Sequence, residues 1–152
     1  MSSRWPGPAL YGMEGGVTES DPRSAPRGKR KVLVVDDSPI VLEILRERLE
    51  SAGFEVTLRT EPLGTAQWIV DNQPEIVLLD VEMPALSGGG LASVLKKRPT
   101  TREALIVFHS SLPRARLDEL VRSSGAAGAI EKTDDDNRFL QDLMSIVATA
   151  RR

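Results

Sequence analysis

Ile76-Val77-Leu78-Leu79-Asp80-Val81-Glu82-Met83-Pro84 is the stretch that decides the fold. Four aliphatic residues in unbroken succession suit a strand buried on both faces, the signature of a parallel sheet covered by helices. Asp80 then falls at the strand's carboxyl end, the edge at which open α/β sheets hold their ligands. Pro84 has no N–H to give a neighbouring strand and steers Met83 away from helical backbone angles, so the chain turns there. A carboxylate is thereby presented at a sheet edge beside a stiff turn.

The surrounding sequence repeats this pattern. Val32-Leu33-Val34-Val35 is a second apolar run that ends in acids, Asp36-Asp37, before Ser38-Pro39. Val41, Leu45, Leu49 and Ala52 recur at helical spacing, and Gly53 stops that helix. Phe54–Leu58 alternates and reads as an outer strand, and Leu63–Asn72 reads as a short helix with Ala66, Ile69 and Val70 inward. Trp68 lies off that face and suits either a contact surface or packing over a neighbouring helix. Beyond the Met-Pro turn, Ser87-Gly88-Gly89-Gly90 opens a helix running to about Arg98, its first turn weakened by roughly 1 kcal/mol per helical glycine. Leu105–Phe108 forms the next buried strand, leading into His109-Ser110-Ser111. His109 reads as a packed residue at the strand end. Pro113 starts a helix with Leu117, Leu120 and Val121 inward. Ala127–Ile130 is a short last strand followed by Lys132. Asp134-Asp135-Asp136 gives an acidic start to a final helix carrying Leu140, Leu143, Val147 and Ala150, which suits the helix dipole. Five strand–helix units from about Lys31 to Arg152 imply a doubly wound parallel sheet with right-handed crossovers.

The residues that follow the strands therefore converge. Asp36 and Asp37 follow the first strand, Asp80 the third, Ser110 the fourth and Lys132 the fifth. Two unit charges ~5 Å apart at an effective dielectric near 20 repel by about 3 kcal/mol, so three carboxylates at one edge call for a cation. An all-oxygen set with few protein ligands suits Mg²⁺, which keeps several waters and bridges to phosphate. A carboxylate, a hard cation, a lysine and a hydroxyl around one point make a phosphoryl-transfer site. The chain has no Gly-rich nucleotide loop, so the phosphoryl group comes from something other than a cradled nucleoside triphosphate. Read alone, Asp36-Asp37 is also a good helix cap.

Composition bounds the rest. The chain has 152 residues, 40% hydrophobic and 28% charged, enough for one globular domain with a full core and a tail. Residues 1–30 are rich in Gly, Pro and Ser without helical or strand period and read as a disordered tail, ending in a short basic run. A formal net charge of −2 favours neither nucleic acid nor an acidic membrane as partner. Cysteine is absent, which excludes disulfides and thiolate chemistry. No apolar run approaches a membrane span or a secretory signal, and the expected location is cytoplasmic.

On the paired acids of Val35-Asp36-Asp37, the Leu78-Leu79-Asp80 context with Met83-Pro84, and Gly88, Ser110 and Lys132 in this order and spacing, the stretch from about Lys31 to Arg152 resembles a response-regulator receiver domain of two-component signalling. The resemblance implies a flavodoxin-like (βα)5 fold with strand order 2-1-3-4-5. It implies that Asp80 accepts a phosphoryl group from a histidine kinase or a phosphotransfer protein. Asp37 would then ligate Mg²⁺ directly and Asp36 largely through water, with Asp80 and the backbone carbonyl of Glu82 as further ligands. Ser110 would hydrogen-bond the aspartyl phosphate and Lys132 would pair with it. Such a protein is a switch or phosphorelay intermediate, not an enzyme beyond its own phosphorylation and slow autodephosphorylation. With the chain ending at the final helix, a stand-alone type is expected, a monomer or weak homodimer. Its output is contact with a downstream protein through the fourth helix, fifth strand and fifth helix.

Three positions depart from the family's pattern. Ala129 stands where many receivers carry Tyr or Phe, Thr133 where a Pro commonly follows the lysine, and Ser110-Ser111 replaces the commoner hydroxyl-then-Ala pair. For Lys132-Thr133 a trans peptide is expected, since the cis form costs about 2.5–4 kcal/mol outside proline. The missing ring leaves a second reading, a phosphorylation-independent pseudo-receiver that acts as an interaction module. A third, a Mg²⁺-dependent phosphohydrolase of small molecules, lacks a general acid and a substrate pocket in the sequence.

Overall fold

Strands and helices alternate without exception along β1 (Lys31–Val35), α1 (Pro39–Ser51), β2 (Glu55–Arg59), α2 (Thr65–Asn72), β3 (Ile76–Leu79), α3 (Gly88–Lys97), β4 (Leu105–Ser110), α4 (Arg114–Ser124), β5 (Gly128–Glu131) and α5 (Asp136–Ala150). The computed structural model describes residues 28–83, 88–98 and 103–151. Most of the expected tail, and Pro84 and Ser87 of the expected turn, lie outside the described residues. All strand pairs are parallel, and the sheet order is β2-β1-β3-β4-β5. In chain order this is 2-1-3-4-5, the flavodoxin-like arrangement expected from the sequence.

The apolar runs are central because both of their faces are covered. Leu33, Val35, Val77, Leu79, Ile106 and Phe108 pack toward α2, α3 and α4, where Ile69, Leu91, Leu95 and Leu117 meet them. Their alternates Val32, Val34, Ile76, Leu78 and Val107 pack toward α1 and α5, against Leu42, Leu45, Leu49, Phe139, Leu143 and Val147. The four side chains of β3 are all fully buried. Each such side chain contributes about 1.5–3 kcal/mol of gross transfer free energy, so this strand is a main source of the sheet's stability. β2, at the edge, is only half-buried. Trp68 packs its half-buried ring against the α2–α4 side.

Local signals place the helix ends. Ser38 caps α1 by accepting from the Val41 N–H at 3.3 Å, with Pro39 in the first turn. The cap is therefore Ser38, and neither Asp36 nor Asp37 is spent on it. Gly53, at φ +93°, ends α1 in a conformation other residues rarely adopt. Asp135 caps α5 by accepting from the Arg138 N–H at 3.1 Å. Boundaries shift by one or two residues from the sequence reading: β4 runs on through His109 and Ser110, β5 starts at Gly128, and α2 starts at Thr65. Ala52 and Ala150, expected inward, are exposed, while Leu42 and Phe139 take core positions.

Two polar features hold the periphery. At the amino-terminal edge of β3, Glu75 accepts two hydrogen bonds from Arg30, at 2.8 and 2.6 Å, and one from Arg151 at 2.9 Å. The Arg30 hydrogen bonds hold the Glu75 carboxyl below its ordinary value. On the α1–α5 side, buried Arg48 donates to Asp136 and to the Thr133 carbonyl, at 2.7 Å for the latter. Its guanidinium lies 5.3 Å from the Phe139 ring centroid. Arg48 thereby straps α1 to the β5–α5 loop.

His109 packs edge-on against Phe139, with 5.6 Å between centroids, and neither ring nitrogen has a hydrogen-bond partner among the described residues. Burial first, then the charges of Lys132 and Arg48, push its pKa down to about 3. The unfolded chain takes up this proton near the ordinary value of 6.5, whereas the folded chain refuses it until about 3. The stability that depends on a neutral His109 is thus complete above pH 6.5 and declines below it, by up to about 1.4 kcal/mol per pH unit. In urea melts, His109→Leu is expected to keep a constant offset from the parent above pH 6.5 and to gain on it progressively below. Parallel pH profiles would show that the imidazole is not held neutral.

Candidate functional site

Register builds the site. Val35 pairs with Leu79, so the next residues, Asp36 and Asp80, emerge side by side at the carboxyl edge. The Asp36 N–H bonds the Arg59 carbonyl at 3.1 Å and the Asp80 N–H bonds the Val35 carbonyl at 2.9 Å, which fixes both backbones as extensions of the sheet. The Lys132 N–H bonds the Ser110 carbonyl at 2.9 Å in the same way. Carboxylate oxygens of Asp36, Asp37 and Asp80 lie within 4.8 Å of one another. Asp36 and Asp80 are buried, and Asp37 is exposed at the mouth.

Few cations face these acids. The Lys132 ammonium stands 3.3 Å from Asp36 Oδ2 and 3.9 Å from Asp80 Oδ2. Asp36 Oδ1 accepts from the Ser38 N–H at 2.9 Å, whereas Asp36 Oδ2 is buried with no hydrogen-bond partner among the described residues. Asp80 Oδ1 accepts from the Glu82 N–H at 3.0 Å. Burial raises the Asp80 pKa; the Glu82 N–H opposes this, Asp36 adds to it, and Lys132 opposes it again. One ammonium does not balance three carboxylates. A buried Asp36 oxygen that faces the Lys132 ammonium but makes no hydrogen bond, beside two further acids, offers the donor set of a hard cation, so the three residues can hold a metal ion.

Ser110 is fully buried at the end of β4, but its hydroxyl is not directed to Asp80. It donates to Glu82 Oε2 at 3.0 Å and accepts from the Leu112 N–H at 3.1 Å. Ser111 donates to the same Glu82 oxygen, also at 3.0 Å. These donors, Ser110 foremost, hold the Glu82 carboxyl below its ordinary value. The structure thus brings Asp36, Asp37, Asp80 and Lys132 together, and it joins Ser110 to Glu82 instead of to Asp80. Among the expected site residues, Glu82 enters the sequence reading only through its backbone carbonyl. Its side chain and Ser111 are what that reading misses. The signal is present in the register: Leu79 pairs with Phe108, so three residues on, Glu82 comes opposite Ser111.

Arg114 links α4 to β5 beside the site. Its guanidinium donates to the Ala129 carbonyl at 3.2 Å and stands 3.6 Å from Glu131 and 3.5 Å from Asp118. It therefore joins the first turn of α4 to β5 at the position where the small Ala129 offers no ring.

Comparison with known proteins agrees with this geometry. The profile of the response regulator receiver domain matches residues 32–144. The chain is 22% identical over 121 residues to the polar-differentiation response regulators DivK of Brucella anthropi and Brucella ovis, covering 80% of this chain and 98% of each relative. In fold it is similar to the chemotaxis response regulator CheY4 of Vibrio cholerae, with a TM-score of 0.71, 20% identity and coverage of 78% and 98% of the two chains. It is likewise similar to a putative response regulator from Chloroflexus aurantiacus, with a TM-score of 0.73, 24% identity and coverage of 79% and 98%. With its doubly wound sheet and its acids gathered around one lysine, the chain belongs to the response regulator receiver domain family.

Proposed function

We propose that this receiver is a phosphorylation-dependent switch or phosphorelay intermediate that accepts a phosphoryl group on Asp80 from a phosphohistidine donor, a histidine kinase or a phosphotransfer protein. The observation that carries this reading is the placement of Asp80 at the end of the central strand, beside two further acids and within 3.9 Å of Lys132. In the transfer, the phosphorus–nitrogen bond of the donor imidazole breaks as a bond forms between phosphorus and an Asp80 carboxylate oxygen. The bonding pair leaves with the imidazole. Lys132 pairs with the charge that accumulates on the phosphoryl oxygens, and Ser110 supplies a hydroxyl donor to one of them.

The cation we assign to the acidic cluster is Mg²⁺, held by Asp36, Asp37, Asp80 and the Glu82 carbonyl. When bound, it neutralises carboxylate and phosphoryl charge that Lys132 alone leaves uncompensated. Exposed Asp37 suits direct ligation, because Asp36 is already engaged by the Ser38 N–H and Lys132. Ile40 and Ile44, one helical turn apart, leave an apolar strip exposed on α1 next to the cluster, which suits docking of the donor protein. Output follows from the pull on Ser110. The Ser110–Pro113 loop leads directly into α4, and Arg114 carries a displacement of that helix to β5. The cytoplasm is the compartment we infer, and no helix among the described residues is long and apolar enough to cross a membrane.

Treatment with acetyl phosphate and Mg²⁺ is expected to add one phosphoryl group by intact mass, and Asp80→Asn to abolish it. Labelling that persists in the Asn variant assigns the acceptor elsewhere, and no labelling of the parent favours the pseudo-receiver. In Mg²⁺ titrations, Asp37→Ala should weaken binding more than Asp36→Ala; equal effects would remove direct ligation by Asp37. A third outcome concerns stability in metal-free buffer. Because burial raises the Asp80 pKa, the folded chain holds this proton more tightly than the unfolded chain. Stability therefore falls as pH climbs past the ordinary carboxyl value of about 4. Asp80→Asn should melt above the parent at pH 7 and lose that advantage below about pH 4. A variant that melts lower at pH 7 would mean that Lys132 and the Glu82 N–H fully compensate the buried charge.

A further inference from the structure

Ser110 has one proton to donate, and the structure shows where it is given. The hydroxyl donates to Glu82 Oε2 while its lone pair receives the Leu112 N–H. Ser111 adds a second hydroxyl to the same oxygen, also at 3.0 Å. These donors come from the end of β4 and the turn that follows it into α4. Glu82 is itself held by its N–H on Asp80 Oδ1, so the latch is anchored on the acceptor residue.

We propose that the Glu82 carboxylate is a resting-state latch that competes with the aspartyl phosphate for the Ser110 hydroxyl, with Ser111 as its second arm. The inference rests on Asp80 as acceptor for its consequence, while the latch itself is a property of the resting protein. A hydroxyl cannot donate one proton to both Glu82 and a phosphoryl oxygen. The two arrangements are therefore mutually exclusive, and they define a two-state element at the start of α4. A phosphoryl group also brings about two negative charges close to Glu82. Like-charge repulsion then drives Glu82 away from the site, which frees Ser110 and Ser111 together. Glu82 acts here as a positioning residue: it holds the turn in the unphosphorylated arrangement and raises the threshold for leaving it. The exposed Glu82 side chain has no part in the core, so its removal leaves the fold intact.

The test uses the full chain in two states. Without phosphodonor, amide hydrogen exchange of the segment from Ser111 to Leu117 should quicken roughly ten-fold in Glu82→Ala, the loss expected for charge-assisted hydrogen bonds. Ser111→Ala, which leaves all four acids and Ser110 in place, should give a smaller increase in the same segment. At saturating Mg²⁺, both variants should reach the beryllofluoride-bound arrangement at lower fluoride than the parent, Glu82→Ala by about ten-fold. Unchanged exchange in resting Glu82→Ala overturns the latch. A Ser111→Ala variant identical to the parent alongside a responsive Glu82→Ala overturns the second arm and supports a latch made by Ser110 alone. If Asp80 is not the acceptor, the beryllofluoride response is absent in every variant and the exchange result still decides the latch. The two readings thus fail separately.

Discussion

Three carboxylates held within 4.8 Å of one another, with the Lys132 ammonium between two of them, are the constraint on which the rest of the molecule depends. Left in an isolated peptide, such acids would move apart. Here the parallel ladder denies them that freedom, because each is the first residue beyond a paired strand or the next one along. The fully buried aliphatic side chains of β1, β3 and β4 keep the strands in place and so hold the charges together. The electrostatic cost of the site and the hydrophobic stabilisation of the core are therefore two aspects of one arrangement. A buried carboxyl raised by burial, next to a buried carboxylate oxygen without a hydrogen bond, is poised to gain from any cation or cationic side chain that approaches.

Much of this was legible from residue order alone. Unbroken runs such as Ile76–Leu79 report burial on both faces, and burial on both faces in a chain that alternates with helices leaves little choice but a parallel sheet. Once the sheet is parallel, Asp36, Asp80, Ser110 and Lys132 must share an edge. The places where the reading fell short have a common cause. Ala52 and Ala150 continue a helical period beyond the sheet that the helix covers, so they meet solvent, while Phe139 sits one position earlier than the first apolar residue counted on α5. Arg48 is buried although charged, because Asp136, the Thr133 carbonyl and the Phe139 ring all come from elements distant in sequence. A period along one helix contains no record of such partners.

Glu82 exemplifies the remaining gap. Its backbone lies where the strand pattern predicts, yet its side chain takes a partner from the next strand, and only the register between β3 and β4 brings them opposite. In the sequence Ser111 is merely the second half of a Ser110-Ser111 pair, with no role of its own. The structure runs β4 two residues longer, which carries Ser110 into the ladder and leaves Ser111 as the first residue of the turn. Small errors in where a strand ends thus become large errors in which hydroxyl can reach which acid.

The clamp on Glu75 has a consequence for how this domain can be joined to other things. Arg30 and Arg151 meet on one carboxylate at the amino-terminal edge of the sheet, so the polypeptide enters and leaves the folded unit at neighbouring points. The acids around Asp80 lie at the other end of the same strand. A connection made at Arg30 or Arg151 therefore starts from the end of the sheet opposite the acidic edge. The same proximity makes the folded unit from Arg30 to Arg151 suited to circular permutation, with a short linker joining those two residues and new ends opened in a loop remote from the carboxylates.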